Sequence, residues 1–186
     1  MRSTYLTNQF LIAMPGLQDP NFFQTVTYIC EHNEKGAMGI VINRPLDLAL
    51  GEVLQQMSLE ACDEAIENIQ VYQGGPVHTD RGFVIHEPDD RWKSSIIVND
   101  EIGVTTSRDI LQSIAEGQGP ELSFIALGIA SWGAGQLERE ILDNAWLNVP
   151  ADKSIIFKVP YDKRWAYSAA LLGVDIDHIS TDVGHA

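Results

Sequence analysis

The sequence predicts an α/β protein of the α+β kind, a single compact domain in which helices pack around a mixed, largely antiparallel sheet. Short apolar, β-branched segments outnumber the helical ones. Their predicted order is β-β-α-β-β-β-β-α-β-α-β-α, which lacks the strict βαβ alternation of a doubly wound fold. The chain has 186 residues, 45% hydrophobic and 20% charged, and this composition suits one domain with a sizeable core.

The first half of the chain begins with a predicted β-hairpin. Residues 25–31 and 37–43 are rich in β-branched and apolar residues, and the five-residue link between them is polar and ends in Gly36. Pro45 then opens a predicted helix whose apolar side chains recur at spacings of three and four residues. Residues 58–68 are acidic and carry no such period, so we expect a loop there.

The second half supplies most of the predicted sheet and three more helices. Strands are predicted near 69–73, 82–87, 95–98, 102–106, 122–130 and 154–159. Thr106 and Asp109 resemble a capping box for a helix that ends at Gly117. Another helix begins within WGAGQLEREILDN, and Asp162 caps the last one, which Gly173 ends.

One domain is predicted over residues 1–186, because no repeat, low-complexity tract or change of composition marks a linker. Residues 181–186 are expected to fray. The apolar run at 10–14 is too short for a signal-peptide core or a membrane span. Cys30 and Cys62 lie 32 residues apart without CxxC spacing, which indicates free thiols in a reducing compartment. We therefore expect a cytoplasmic protein that makes no membrane contact.

The charge balance argues against direct nucleic-acid binding. Twelve Lys and Arg against 26 Asp and Glu give a formal charge of −14. Affinity for nucleic acid comes largely from cations that neutralise phosphates, and this chain carries a large excess of anions.

Cys30 and His32 are the candidate catalytic residues. If both belong to one regular strand, their spacing of two puts their side chains on the same face. An imidazolium beside a thiol favours the reactive thiolate, which would suit a redox-sensing or nucleophilic cysteine. The alternative is structural, with Cys30 in the core and His32 at the exposed end of the strand.

The segment GIASWGAGQLE (128–138) passes from a strand into a helix, as a nucleotide-binding loop would. Gly133 and Gly135 match half of G-x-G-x-x-G, but Glu138 occupies the third glycine position and would repel a pyrophosphate. Ile129 breaks the G-x-S-x-G pattern around Ser131. The alternative is that these glycines permit a tight turn beneath Trp132.

No cofactor and no metal are predicted. The five histidines are scattered, and none has H-x-x-x-H spacing. Asp175, Asp177 and His178 are close in sequence, as are His78 and Asp80, but neither group supplies a set of convergent ligands.

The remaining candidate ligand site consists of two arginines, Arg44 and Arg81, and the turn residues beside them. Arg44 follows Asn43 where a strand gives way to the next element, and Arg81 follows Asp80. Each guanidinium could clamp a carboxylate or another anion, or could equally brace a turn. Gly74 is free to adopt a positive φ, whereas Gly75 precedes a proline and is biased towards extended geometry.

Three long motifs carry a resemblance to a known family. They are LIAMPGLQDPNFFQTVTYICEHNEKGAMGIVINRP (11–45), YQGGPVHTDRGFVIH (72–86) and GIASWGAGQLEREILDNAWL (128–147). On these motifs the chain resembles the AlgH/YqgE family, also catalogued as UPF0301, from near its N-terminus to its last helix. Ser131 departs from the family pattern, which more often has glycine there.

The resemblance implies a bent, bifurcated sheet that forms a pseudo-barrel with helices outside. The family name is tied to transcriptional regulation of alginate synthesis, yet no biochemical activity or catalytic residue set is agreed for it. Motif positions that are candidates for ligand binding are Asn43, Arg44, Gly74, Gly75, Arg81, His86, Trp132, Gly133 and Gly135.

The sequence thus favours a binding protein over an enzyme. The first hypothesis is a regulator that acts through a protein partner or a small ligand rather than by binding DNA directly. The second is a redox-sensing or nucleophilic cysteine protein that uses Cys30 with His32. A third is an interaction module in which every motif serves a turn. The oligomeric state is not predicted.

Overall fold

A computed structural model of the chain describes residues 5–173, which form ten strands and six α-helices. The strands are β1 (Gln9–Ala13), β2 (Val26–Asn33), β3 (Gly36–Val41), β4 (Pro45–Ala49), β5 (Gln70–Gln73), β6 (Val77–His86), β7 (Ser95–Ile97), β8 (Gly103–Thr105), β9 (Ser123–Gly133) and β10 (Trp146–Pro150). The helices are α1 (Leu50–Gln56), α2 (Glu64–Glu67), α3 (Arg108–Ala115), α4 (Gln136–Leu142), α5 (Lys153–Phe157) and α6 (Arg164–Ala170), and a 3₁₀ turn covers Tyr161–Lys163.

The sheet divides at its longest strand, β9. Its main path runs β10-β1-β2-β3-β9-β6-β8-β7, with antiparallel pairing throughout. On the edge of β9 opposite β6, β5 pairs in parallel at 126–127, and β3 pairs with residues 130–133. β4 pairs with β5 and completes a side branch. The predicted fold class is confirmed: the sheet is mixed, largely antiparallel, curled into a half-barrel and bifurcated.

Gly74 and Gly75 lie at this division and approach β9 too closely for any side chain. The amide of Gly74 donates to Leu127 O, and its carbonyl accepts from Val41 N, both across 2.8 Å. A Cβ on Gly75 would lie 2.1 Å from the carbonyl carbon and oxygen of Ile129. Of the two glycines, Gly75 is the one with a positive φ, 157°. Both glycines serve the fold.

The core consists of three clusters of buried side chains on the two faces of the sheet. The first includes Phe10, Tyr28, Ile40, Phe83 and Ile156, and is covered by α5 and α6. On the other face, the second cluster lies under α1 and α3 and includes Leu54, Val84, Ile110 and Ile125. The third lies under α4 and includes Leu11, Ile29, Trp132, Leu137 and Trp146. Helices therefore cover both faces of the sheet.

Five segments differ from their sequence-based predictions. Strands β1 and β10 were not predicted, and residues 64–67 form a short helix within the expected loop. Residues 45–49 are the strand β4, so the predicted helix begins only at Leu50. Residues 153–157 form helix α5 and not a strand, because Asp152 caps it and both Ile155 and Ile156 are buried against the first cluster.

Two sequence-based expectations lie outside the described residues: fraying at 181–186 and the proximity of Asp175, Asp177 and His178. None of the helices within residues 5–173 has the length and hydropathy that crossing a bilayer requires.

Candidate functional site

Two of the three sequence motifs meet where the β2–β3 hairpin packs against the turn from β9 to α4. Nε2 of His32 lies 2.9 Å from Oε1 of Glu138. The His32 side chain is 1% exposed and that of Glu138 is 35% exposed. The Leu6 amide donates to Nδ1 of His32 across 2.9 Å, so Nδ1 is an acceptor and the ring proton resides on Nε2. His32 therefore donates to Glu138 as a neutral imidazole.

Glu138 is ionised in this pair. The hydrogen bond from His32 lowers the pKa of Glu138 below its ordinary 4.5, against a smaller opposing effect of burial. A carboxylate in the first turn of α4 also suits the positive end of the helix dipole. The pair thus joins two of the sequence motifs through one charge-assisted hydrogen bond.

A second carboxylate, Glu140, closes the turn beside this pair. Its Oε1 accepts from the indole N–H of Trp132 at 3.1 Å and from that of Trp146 at 3.0 Å. Its Oε2 accepts from Gln136, whose own side-chain oxygen accepts from the Gly133 amide at 3.0 Å. The turn at 133–135 is therefore held rigidly by hydrogen bonds.

Gly135 provides the backbone conformation that this turn requires. It is the N-cap of α4 with a φ of +74°, a conformation that favours glycine. Gly133 is exposed and is paired with Gly36 across β3 and β9. These two glycines therefore shape a tight strand-to-helix turn, as the structural alternative proposed.

The surface beside this turn is a shallow depression of about 250 Å³, here called the hairpin pocket. It is lined by Glu31, Asn33, Lys35, Gly36, Ala37, Met38, Ser131 and Trp132. Glu31, Lys35 and Ser131 are exposed, whereas Trp132 is buried and forms part of the floor. The pocket thus presents charged and hydroxyl groups on a rigid sheet.

Cys30 and His32 do not share a face of β2, so that geometric expectation was wrong. A bulge between Ile29 and Glu31 shifts the register by one residue. Cys30 therefore packs with Tyr28 in the first cluster, while His32 lies opposite Ala37, whose side chain belongs to the third. Cys30 is 2% exposed, and burial raises the pKa of its thiol well above the ordinary value. This environment opposes thiolate formation.

Asn43 and Arg44 brace the loop that precedes β2. The Asn43 side chain accepts from Val26 N and donates to Gln24 O, both across 2.9 Å. The Arg44 guanidinium donates to Pro20 O at 2.6 Å and to Phe23 O at 3.0 Å. Phe22, in the same loop, stacks on Trp132 with ring centroids 5.9 Å apart. These residues support the floor of the hairpin pocket.

His86 is fully buried, away from any surface ligand. Its Nδ1 donates to Glu87 O, and its Nε2 lies 2.7 Å from Oγ1 of Thr105, which contacts Ser95 Oγ at 2.6 Å. Because a carbonyl can only accept, Nδ1 carries the proton and Nε2 of the neutral ring accepts from Thr105. Burial lowers the pKa of His86 below 6.5, which keeps it neutral.

Arg164 is a buried cation that sequence reasoning missed. It is 5% exposed, donates to Val159 O across 2.9 Å and to Ile42 O, and lies 5.2 Å from the ring centroid of Tyr72. Burial lowers the pKa of Arg164. The periodicity of the last helix highlights Trp165 and Ala169, and no local pattern marks the residue before them. Tyr72 lies on β5 and Ile42 directly follows β3, so Arg164 ties α6 to the sheet.

The candidate residues converge only in part. Trp132, Gly133 and Gly135 lie at the end of β9 and in the turn to α4, beside His32, whereas Cys30 lies apart from them in the first cluster. Asn43 and Arg44 brace the loop whose Phe22 stacks on Trp132. Arg81 is exposed and lines a different groove, which shares no lining residue with the hairpin pocket. Within the described residues, no three His, Cys, Asp or Glu side chains form a group that could hold a metal ion.

Comparison with known proteins supports the same fold and sequence motifs. Residues 10–177 match the family model described as AlgH-like. A UPF0301 protein of Thioalkalivibrio sulfidiphilus is 61% identical over 184 residues, covering 99% of this chain and 98% of the relative. A UPF0301 protein of Pseudomonas aeruginosa is 52% identical over 184 residues, covering 98% and 97% respectively.

Two solved structures match almost the whole chain. The solution structure of the AlgH protein from Pseudomonas aeruginosa has a TM-score of 0.82 at 51% identity, covering 100% of this chain and 98% of the other. A crystal structure of a protein from Corynebacterium diphtheriae has a TM-score of 0.74 at 19% identity, covering 97% and 94%, and shares the fold.

Proposed function

Because this chain belongs to the AlgH-like family, we propose that it is a regulatory binding protein that acts through a protein partner or a small ligand. The observation that carries the proposal is the convergence of two family motifs on the hairpin pocket. Partly buried hydrogen bonds hold its floor rigid, while Glu31, Lys35 and Ser131 are exposed on its rim. A rigid floor under exposed polar groups is suited to recognition, because little conformational entropy is lost on binding.

A protein partner fits the hairpin pocket better than a small molecule does. The volume of the hairpin pocket, about 250 Å³, lies below the range of roughly 300–1,000 Å³ that is usual for small-ligand sites. The pocket also draws part of its lining from a strand pair, β3 and β9. A shallow polar surface of this kind resembles the rim of a protein interface.

Catalysis at this site is disfavoured by the chemistry of its residues. Cys30 is enclosed in the core, and both nitrogens of His32 are committed to hydrogen bonds. Glu138 is occupied by His32, and Glu140 by two indoles and Gln136. A nucleophile and base within reach of one substrate would be needed for covalent chemistry.

Direct DNA binding is disfavoured by charge. The chain carries −14 overall, and the lining of the hairpin pocket contains one cation, Lys35, and one carboxylate, Glu31. Such a surface neutralises few phosphates and releases few counterions. The regulatory effect is therefore proposed to pass through the partner.

Complementation of a strain that lacks the gene tests this function. Transcript levels would be compared after expression of the wild type, of Glu31→Lys and of Lys35→Glu. Glu121→Lys and Lys163→Glu serve as charge-matched controls, because both side chains are exposed and neither lines the pocket. We expect the wild type and the controls to restore the profile and the two pocket variants to fail at normal protein levels. Restoration by the pocket variants would contradict the proposal.

A further inference from the structure

A second concave surface, here called the arginine groove, lies between α1, β6 and α3 and has a volume of about 360 Å³. Its floor is apolar and consists of side chains that pack on or belong to the second cluster. These are Leu48, Val53, Met57, Leu111 and Leu127. Its rim is polar and is formed by Gln56, Thr79, Asp80, Arg81, Thr106, Ser107 and Arg108.

The two arginines of the rim are available for a ligand. Arg81 and Arg108 are both exposed, and in the part of the chain that the structure describes neither has a carboxylate within ion-pair distance. Arg44 and Arg164, by contrast, are held by backbone carbonyls. In a protein of charge −14, two unpaired guanidiniums beside one apolar floor are the unusual feature of this surface.

A break in the pairing of β6 with β9 places Arg81 at the groove. The β6–β9 register passes from Val77 opposite Ile129 to Gly82 opposite Leu127, so residues 78–81 have no partner on β9. His78 within this bulge has a φ of +52°, a conformation that is costly for a residue with a side chain. Bulges often redirect side chains next to functional sites, and this one turns Arg81 onto the groove rim.

We infer that the arginine groove binds a small organic anion with an apolar body and a single carboxylate head. The apolar body would lie on the leucine floor, and the two guanidiniums would hold the carboxylate, which matches their fork of donors. A volume of about 360 Å³ suits a ligand of roughly ten to fifteen heavy atoms, at the small end of ligand sites. The inference does not depend on the proposed function, because the two pockets share no residue.

The balance of acidic and basic groups around the groove determines which ligand charge is favoured. Asp80 lines the rim, so the lining residues carry two positive charges and one negative. Asp109 lies in the first turn of α3, but its carboxylate accepts from Ser107 Oγ and from the Lys93 amide. The surplus of one positive charge favours a monocarboxylate over a phosphate dianion.

Titration of the ¹⁵N-labelled protein with octanoate tests the inference, with octyl phosphate, octanol and octylamine as comparison ligands. We expect saturable binding of octanoate with a dissociation constant on the order of 1 mM or tighter. The largest amide shifts should fall on Gly82, Leu111 and Leu127. Octyl phosphate should bind more weakly, and octanol and octylamine more weakly still.

Variants of the rim arginines separate head-group recognition from simple apolar binding. Arg81→Gln and Arg108→Gln should each weaken octanoate binding by roughly tenfold, because each removes a charge-assisted hydrogen bond. Arg139→Gln, an exposed arginine of α4 outside the groove, should leave binding unchanged. Unaltered thermal stability of all three variants would establish that they fold.

Three results would overturn the inference. One is the lack of saturable octanoate binding, and another is octanol binding as tightly as octanoate. The third is octanoate affinity that survives in both Arg81→Gln and Arg108→Gln.

Discussion

The imidazole Nε2 of His32 donates to Oε1 of Glu138 across 2.9 Å, although the two residues are 106 positions apart in the chain. This hydrogen bond fastens the β2–β3 hairpin to the first turn of α4. The tautomer of His32 is fixed by the Leu6 amide, which donates to Nδ1 and leaves the ring proton on Nε2. We expect this link to contribute to the rigidity of the hairpin pocket.

Removal of the Glu138 carboxylate, which accepts the hydrogen bond from His32, should destabilise the protein. In Glu138→Ala the buried N–H of His32 loses its partner, and we expect the free energy of unfolding to fall by about 1–2 kcal/mol. Urea denaturation followed by tryptophan fluorescence measures the change. The control is Glu121→Ala, an exposed acid that should cost less than about 0.5 kcal/mol. Equal losses in the two variants would show that the His32–Glu138 bond contributes nothing.

Acidification should destabilise the protein first through His86. Burial lowers the pKa of His86 below 6.5, so the folded state keeps the ring neutral while the unfolded state takes up a proton. Stability is therefore fully present above pH 6.5 and falls as the pH drops through the interval down to the folded-state pKa. His86→Gln removes this component, and its free energy of unfolding should vary less between pH 7 and pH 5 than that of the wild type. An identical slope in both proteins would contradict the prediction.

Gly75, which lies where the sheet divides, should not tolerate a side chain. In Gly75→Ala the new Cβ would meet the Ile129 backbone at 2.1 Å in a backbone conformation with positive φ. We expect a loss of about 3 kcal/mol or more in the free energy of unfolding, or failure to fold. Gly16→Ala is the matched control, because nothing lies within 4 Å of its added Cβ. Thermal unfolding of both variants is the measurement, and comparable midpoints would refute the steric account.

The two cysteines should differ sharply in reactivity. Cys62 is exposed and Cys30 is enclosed in the core, where burial raises the pKa of its thiol. A disulfide reagent should label Cys62 rapidly in the native protein and reach Cys30 only on unfolding. Cys62→Ser therefore should show almost no native labelling at pH 7. Rapid labelling of that variant would revive the hypothesis of a reactive Cys30.

The sequence predicted those strands and helices that short runs of neighbouring residues determine. The hairpin of β2 and β3 follows from two β-branched runs with a polar link that ends in Gly36. Helix α5 could not be predicted in this way, because SIIFKV has the composition of a strand. Only the packing of Ile155 and Ile156 on the first cluster, together with the Asp152 cap, selects a helix there.

The sequence named residues around the β9–α4 turn but not the geometry in which they meet. The motif residues around Trp132 and His32 do meet, as a ligand or partner site would require. The bulge that separates Cys30 from His32 leaves no trace in the segment TYICEH, and one inserted residue reverses the face of each side chain that follows it. The role of Arg164 likewise depends on Ile42 and Tyr72, which lie far away in the chain, and no periodicity reveals it.

The central claim is that the hairpin pocket docks a protein partner, and site-specific photo-crosslinking in living cells tests it most directly. A benzophenone amino acid would replace Ser131 on the pocket rim or, as the control, Tyr167, which is 51% exposed on α6 and outside the pocket. We predict a discrete covalent adduct from position 131 that is lost when Glu31→Lys is added, and no such adduct from position 167. An adduct from position 131 that persists with Glu31→Lys, or the same adduct from both positions, would contradict the claim, as would the lack of any adduct from position 131.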